Sequence, residues 1–172
     1  MFIDESAALT NLVRLYGWSA GGERALGTTP CGHWERVTIL GGLGSEGIIA
    51  AMSIPAATDG TVFHAYLEQV LLPKLHRSKP DAVLVMDNLA AHKAKAVRSL
   101  LDRSGFAYLY LPRYSPDLNP IEPAWAKLKG LLRKTAARTV DGLHAALGPA
   151  LAAITKNDAI GFFRHAGYAC PN

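Results

Sequence analysis

Three carboxylates, far apart in the chain, stand where a charged side chain could meet a ligand. Asp87 ends the apolar run Ala82–Met86, whose length favours a buried strand. Ligands of open α/β sheets bind at the carboxyl ends of strands, and an ionised carboxylate buried there needs a partner. Asp4 ends a second short apolar run, and Glu122 opens an amphipathic helix. These three acids are therefore the candidate site residues.

Two of the acids also have a purely structural explanation. Asp87 could cap a helix that begins near Leu89. Glu122 could complete a capping box in which Asn119 is the N-cap and Pro120 the first helical residue, so that its carboxylate binds backbone N–H groups. The loop before Glu122 contains three prolines. This is more constraint than a cap requires, and we expect the loop to fix where the acid points.

Length and composition predict one globular domain. The 172 residues are 49% hydrophobic, which is enough to bury a core. No apolar run approaches the roughly 18 residues of a membrane span, and the N-terminus lacks the features of a signal peptide, so we expect a cytoplasmic protein without a membrane partner. Cys31 and Cys170 lack metal-ligand spacing and are interpreted as ordinary thiols.

Positive charge is concentrated in one part of the chain. The net charge is +4, but residues 93–138 contain ten Lys or Arg and only three acids. Such a run is typical of a solvated helix face. A polyanion that binds to this part of the chain is the alternative.

The elements that must position the acids alternate between strands and helices. Apolar patterning predicts a short strand ending at Asp4, a hairpin, a long helix beginning at Asp59 or Thr61 and ending near Ser78, and the Asp87 strand. The elements predicted after the Asp87 strand are a helix over His92–Arg103, a strand over Phe106–Leu111, the Glu122 helix to about Lys134, and C-terminal helices over Val140–Ile154 and Ala159–His165, the last capped by Asn157 or Asp158. This order predicts an α/β fold, a mixed five-stranded sheet flanked by helices.

The predicted hairpin contains a formal match to a dinucleotide-binding fingerprint. Strands over Arg36–Leu40 and Gly47–Ile54 are joined by a glycine-rich loop, and residues 42–47 of that loop fit the fingerprint. The fingerprint must open a helix, whereas a β-rich run follows here. We therefore do not expect a nucleotide cofactor.

Three motifs together resemble a known family. They are FIDES at residues 2–6, VMDNLAAH at residues 85–92 and LPRYSPDLNPIEPAWAKLK at residues 111–129, with 34 residues between Asp87 and Glu122. The combination resembles the DDE transposases of bacterial insertion sequences related to mariner elements. The resemblance covers Ile3 to about Lys134, and it implies an RNase H-like fold.

The resemblance also implies a chemistry and a set of site residues. Asp4, Asp87 and Glu122 would be catalytic and would bind two Mg²⁺ ions, or Mn²⁺ as a substitute, with Asp4 bridging both. Two such ions can activate a water and stabilise a leaving 3′-oxygen, and Mg²⁺ prefers carboxylate ligands. Asn88 and His92 also match the family pattern. Asn88 could orient a ligand, and His92 could contact DNA or cap the helix.

DNA is the implied partner. Basic residues near the acids are candidates for phosphate contacts, which give affinity without sequence choice. The candidates are Lys93, Lys95, Arg113, Lys127, Lys129 and Arg133. The resemblance further implies a homodimer in the active complex and a nucleoid-associated protein in the bacterial cytoplasm.

The chain departs from the family pattern at its start, where the helix-turn-helix region usual upstream is not found. We expect one domain over residues 1–172, with a core to about residue 135, C-terminal helices over about 139–167, and DNA-end recognition supplied by a separate polypeptide. The principal hypothesis is a Mg²⁺-dependent DNA nuclease and strand transferase. The alternatives are an inactive DNA-binding or dimerising remnant that inhibits a transposase and, less favoured, an RNase H-like nuclease for junctions.

Overall fold

The computed structural model describes residues 1–169, and Cys170 lies outside them. A five-stranded sheet with the strand order β3-β2-β1-β4-β5 forms its centre. The first three strands are antiparallel neighbours, whereas β4 and β5 add to β1 in parallel. The strands are β1 (Phe2–Leu9), β2 (Arg36–Gly44), β3 (Gly47–Ile54), β4 (Leu84–Met86) and β5 (Tyr108–Tyr110). The predicted mixed, five-stranded α/β sheet is confirmed.

Helices cover both faces of this sheet. The crossover from β3 to β4 is helical throughout and begins at its N-cap Asp59, as predicted. It consists of α1 (Gly60–Tyr66), a π-helical segment (Leu67–Leu71) and α2 (Leu72–Ser78). The remaining helices are α3 (Lys95–Ser104), α4 (Ile121–Thr135), α5 (Val140–Ala152) and α6 (Lys156–His165). Within the part of the chain that is described, no helix has the length and apolar character needed to cross a membrane.

Alternate residues of β1 face different layers of helices. Phe2 packs in a core that includes residues of α4, α5 and α6, whereas Ile3 packs in a second core with residues of α1, α2 and α3. Because side chains alternate along a strand, Asp4 lies on the α4 side of the sheet and Glu5 lies on the opposite side. The two adjacent acids therefore have different neighbours.

Four strand predictions were wrong in extent. The parallel strands β4 and β5 are shorter than the predicted runs Ala82–Met86 and Phe106–Leu111. β1 does not end at its acid but continues to Leu9, because antiparallel pairing with β2 extends along its whole length. The glycine-rich segment predicted as a loop is mostly strand, and the turn itself is formed by Ser45 and Glu46. Gly41 and Gly42 pair with β3 across the sheet. No helix follows the fingerprint-like segment, in agreement with the sequence interpretation.

The helix predicted over His92–Arg103 is interrupted near its start. A 3₁₀ turn covers Ala91–Lys93, and Ala94 then takes an extended ψ of 143° before α3 begins. The last predicted helix begins earlier than expected, and its N-cap is Thr155 rather than Asn157 or Asp158. Asp158 is instead the third residue of that helix and completes a capping box with Thr155.

Candidate active site

Parallel pairing of β1 and β4 brings two of the predicted acids to neighbouring positions. Ile3 lies opposite Met86 in this pair of strands, and the residues that follow are Asp4 and Asp87. The third acid, Glu122, lies in the first turn of α4. That helix packs on the Asp4 side of the sheet. Three separate elements therefore bring the three acids toward one end of β4.

Asp4 is a buried acid that lies near other acids. Its side chain is 7% exposed and accepts hydrogen bonds from the Glu5 backbone N–H at 2.8 Å and the Asn119 side-chain amide at 3.4 Å. Burial raises the pKa of Asp4 to about 7, helped by the negative charges of Glu5, Glu122 and Asp87, although the backbone hydrogen bond opposes this shift. Asp4 therefore lies within electrostatic reach of both other predicted site acids.

Asp87 follows β4 and is held through one of its oxygens. The Oδ1 atom accepts a hydrogen bond from the Leu89 backbone N–H at 2.9 Å and lies 2.6 Å from Nδ1 of His92. The His92 contact is a close charge contact rather than an aligned hydrogen bond. Partial burial acts to raise the pKa of Asp87, but the contacts with His92 and Leu89 outweigh it and lower the pKa. The capping explanation for Asp87 is wrong, because the 3₁₀ turn that follows has Ala90 as its N-cap and no side-chain cap, and the bond to Leu89 closes only a local turn.

His92 is buried and lies between two acids. Its Nε2 atom is 2.9 Å from Oε2 of Glu5, and its side chain is fully buried. Burial acts to lower the pKa of His92, yet the contacts with Asp87 and Glu5 raise it to about 9. His92 therefore carries a positive charge at neutral pH. Of the two roles that the sequence left open for His92, its burial does not favour a direct contact with DNA, and no side chain caps the 3₁₀ turn or α3.

The capping box predicted for Glu122 is wrong. The N-cap of α4 is Pro120, and no side chain caps this helix. The Asn119 side chain turns away to Asp4, and the Glu122 backbone N–H donates to the Asn119 carbonyl. The carboxylate of Glu122 is exposed and lines a cavity. A capping role therefore does not explain why this acid is present.

The cavity joins the end of β4 to the proline-rich loop before α4. Its volume is about 400 Å³, and Asp87 and Glu122 both line it. Asn88 lines it as well and donates to the Leu111 carbonyl at 3.3 Å, while its own side-chain oxygen is buried without a hydrogen-bond partner. The loop contributes Arg113 and Tyr114 to the wall. The wall of the pocket therefore contains two carboxylates and one cation.

Sequence reasoning missed three residues of this region. Glu5 binds His92, Asn119 binds Asp4, and Tyr114 is almost fully exposed with a left-handed φ of 57°. This backbone conformation is uncommon for a bulky residue. Alternation along β1 could have indicated Glu5, whereas neither the contact of Asn119 with Asp4 nor the backbone conformation of Tyr114 had a local signal.

Of the six predicted DNA-contacting residues, five are kept as candidates and one is set apart because it forms an ion pair within the fold. Lys129 and Arg133 lie on the same face of α4 as Glu122 and are partly exposed, and Arg113 and Lys95 are exposed. Lys93 is partly exposed and lies 5.7 Å from the ring of Tyr110. Lys127 instead forms an ion pair with Asp158 of α6. We therefore leave Lys127 out of the proposed DNA-contacting set.

The donor set fits a hard divalent cation, although it does not form a finished coordination shell. Among residues 1–169, no three His, Cys, Asp or Glu side chains are arranged to hold a metal ion. Carboxylate oxygens are nevertheless the ligands that Mg²⁺ prefers. A cation beside Asp4 would also offset the repulsion from Glu122 and Asp87 that helps to raise its pKa. The three acids would have to draw together around such an ion.

A family model described as DDE superfamily endonuclease matches residues 1–144 of the 172. The chain belongs to this family. A search of curated proteins found no match for this chain. Solved structures of Mos1 transposase share its fold, which is RNase H-like as predicted.

Three Mos1 structures illustrate the likeness. The paired-end complex with the left transposon end has a TM-score of 0.76 at 20% identity, and the alignment covers 96% of this chain and 52% of the Mos1 chain. The mariner paired end complex with Mn gives 0.74 at 20% identity, with 96% and 51% covered. The Mos1 catalytic domain gives 0.66 at 17% identity, with 96% and 74% covered. The present chain therefore spans about half the length of the Mos1 chains in the two complexes.

Proposed function

We propose that the chain is the catalytic domain of a transposase that cuts DNA strands and transfers them by metal-dependent phosphodiester chemistry. The observation that carries this proposal is that Asp87 and Glu122 line one open cavity, while the buried Asp4 lies on the strand next to Asp87 and accepts a hydrogen bond from Asn119 of the same cavity wall. Membership in a family of endonucleases supports it. So does the shared fold with Mos1 transposase, whose structures include complexes with a transposon end and with Mn.

The three acids have separate tasks in this proposal. Asp4, Asp87 and Glu122 would hold two divalent ions, Mg²⁺ or Mn²⁺ in its place, with Asp4 shared between them. Such ions supply an activated water and a stabilised leaving oxygen for phosphodiester cleavage. Asn88 ties the end of β4 to Leu111 and so steadies the backbone beside Asp87. The carboxylates need no covalent intermediate with DNA.

Basic residues around the cavity would contact the DNA backbone. Arg113 lines the cavity itself, and Lys129 and Arg133 continue the Glu122 face of α4. Lys93 and Lys95 follow the Asp87 strand in the chain and lie at the end of the 3₁₀ turn and at the start of α3. Contacts of this kind give salt-dependent affinity and position the scissile phosphate without choosing a sequence.

We further propose the partners that a transposase of this kind requires. They are the ends of a mobile element, target DNA and a second copy of the chain in the active complex. A separate polypeptide would recognise the element ends. The setting would be the nucleoid of a bacterial cytoplasm.

A nicking assay tests the proposed activity. Plasmid DNA carrying the presumed terminal repeats is incubated with Mg²⁺ or Mn²⁺ and with wild type, Asp87→Asn or Glu122→Gln. Because each substitution removes a charged metal ligand, we expect nicking to fall by about a hundredfold or more in both variants. The readout is the fraction of nicked and linear DNA on a gel.

A distant carboxylate provides the matched control. Glu46 is exposed and pairs with Lys156, away from the cavity, so Glu46→Gln should nick like wild type. DNA that is bound but not cut by wild type would contradict the nuclease and favour the inhibitory remnant. That alternative draws on the absence of a finished metal site among residues 1–169.

A further inference from the structure

His92 joins two carboxylates that lie on different elements. Nε2 is 2.9 Å from Oε2 of Glu5 on β1, and Nδ1 is 2.6 Å from Oδ1 of Asp87 after β4. The side chain of His92 is fully buried, whereas Glu5 and Asp87 are 20% and 42% exposed. The imidazole therefore links a largely covered acid to an acid that reaches the cavity.

The ring of His92 is held in place from several directions. It packs on Phe63 of α1 with 4.1 Å between ring centroids. The backbone carbonyl of His92 accepts a hydrogen bond from the Tyr110 hydroxyl at 2.9 Å. Phe63 is itself fully buried in the core on this side of the sheet. A ring fixed in this way can transmit a constraint from one carboxylate to the other.

Glu5 is in the wrong place to bind the same ion as Asp4. The two residues are neighbours on β1, which continues as a strand through Leu9, so their side chains leave opposite faces of the sheet. The Glu5 carboxylate is also engaged with His92. Apart from the effect of its charge on the nearby Asp4, the contact through which the Glu5 side chain reaches Asp87 is therefore the histidine.

We propose that Glu5 is a positioning residue, which acts through His92 to hold Oδ1 of Asp87 and to present the Asp87 carboxylate to a divalent cation at the cavity. This inference rests on the proposed function. Carboxylates and histidines behind a metal ligand orient it, and their loss typically weakens metal affinity by about 10-fold to 100-fold. We call the three residues the Glu5–His92–Asp87 bridge.

Binding of Mn²⁺ without DNA tests this bridge directly. Free Mn²⁺ is measured by its paramagnetic resonance signal during titration of wild type, Glu5→Gln, Glu5→Leu and Asp87→Asn. Glutamine can still accept a hydrogen bond from Nε2, so Glu5→Gln should weaken Mn²⁺ affinity a few-fold. Glu5→Leu leaves His92 without that acceptor and should weaken it about tenfold or more.

The matched control is another carboxylate in contact with a histidine. Glu68 lies 3.8 Å from His64 on the crossover helices, where Glu68 is exposed and His64 is partly exposed. Glu68→Gln should bind Mn²⁺ with the affinity of wild type. Thermal unfolding of each variant shows whether it is folded, and Glu5→Gln keeps the test decisive if Glu5→Leu does not fold.

A double-mutant cycle separates the bridge from a direct effect of Glu5. In a His92→Gln background, adding Glu5→Gln should change Mn²⁺ affinity less than about twofold, because the link to Asp87 is already broken. Additive losses would overturn the bridge. If Asp87→Asn lost affinity while both Glu5 variants kept it, the bridge would be wrong and the metal site would stand. Wild type that binds no Mn²⁺ would overturn both the bridge and the proposed function.

Discussion

Asp4 is the acid whose protonation depends most on the fold. Its ordinary pKa of 3.8 rises to about 7 because the side chain is buried and lies near other negative charges. The folded protein therefore keeps a proton on Asp4 at pH values where the unfolded chain has lost it. The contribution of this proton to the free energy of unfolding is present in full below about pH 4 and is lost as the pH rises through 7.

The pH dependence of stability tests this environment. Asp4→Asn removes the ionisable group but keeps the shape, so in the absence of divalent ions it should raise the melting temperature over wild type at pH 8 by about 3 °C or more. The difference should vanish near pH 4. Thermal unfolding across this pH range measures it. Asp81→Asn, at an exposed position, should show no such pH-dependent difference. A difference in melting temperature between Asp4→Asn and wild type that stays the same at every pH would contradict the burial of Asp4.

At the scale of elements, α4 packs on the sheet through a tryptophan whose ring lies against a glycine of β2. Gly41 of β2 pairs with Asp4 of β1 across the sheet. A Cβ atom at residue 41 would lie 2.7 Å from Cη2 of Trp125, which is 2% exposed. Glycine thus allows α4 to approach β2 closely, and this approach sets where Glu122 stands.

Substitution of Gly41 tests that packing. Gly41→Ala should lower the free energy of unfolding by about 1–3 kcal/mol, because the new methyl group overpacks a filled core. Gly130→Ala is the control on α4 itself, where nothing lies within 4 Å of the added Cβ atom. Removing a helical glycine there should stabilise the protein by about 1 kcal/mol. Denaturant unfolding measures both, and equal stability of Gly41→Ala and wild type would contradict the account.

Elements that are defined by local patterns could be predicted, and those that depend on distant contacts could not. The crossover helix that ends at Ser78 follows from its cap and apolar period. The extension of β1 to Leu9 depends on pairing with β2, which is separated from it by a long irregular segment. The break at Ala94 coincides with the packing of His92 between Glu5 and Phe63.

The candidate site shows the same division. The motifs indicated Asp4, Asp87 and Glu122, and the fold brings them toward one end of β4. Local spacing suggested that Asn119 caps α4, but a contact with Asp4, 115 residues away, takes its side chain instead. A cap would use the side-chain oxygen of Asn119 as an acceptor, whereas the bond to Asp4 uses its NH₂ group as a donor, so the two bonds require different orientations of one side chain. The sequence alone does not say which orientation is favoured.

At the scale of the whole molecule, the sheet separates two cores that each hold one part of the site. The core with α4, α5 and α6 supports Asp4 and Glu122, whereas the core with α1, α2 and α3 supports Glu5 and His92. Asp87 lies where the two meet, at the end of the short strand β4, which lies between β1 and β5. Each carboxylate is therefore mounted on a packed element, as a site that must align reacting groups requires.

The central claim is that Asp4, Asp87 and Glu122 together bind divalent cations at the end of β4. Anomalous X-ray diffraction from crystals of the protein grown with Mn²⁺ tests it most directly, because the signal locates each ion without reference to activity. We predict anomalous peaks within coordination distance, about 2.0–2.3 Å, of oxygens from all three side chains. Well-ordered crystals in saturating Mn²⁺ without a peak among these carboxylates would contradict the account.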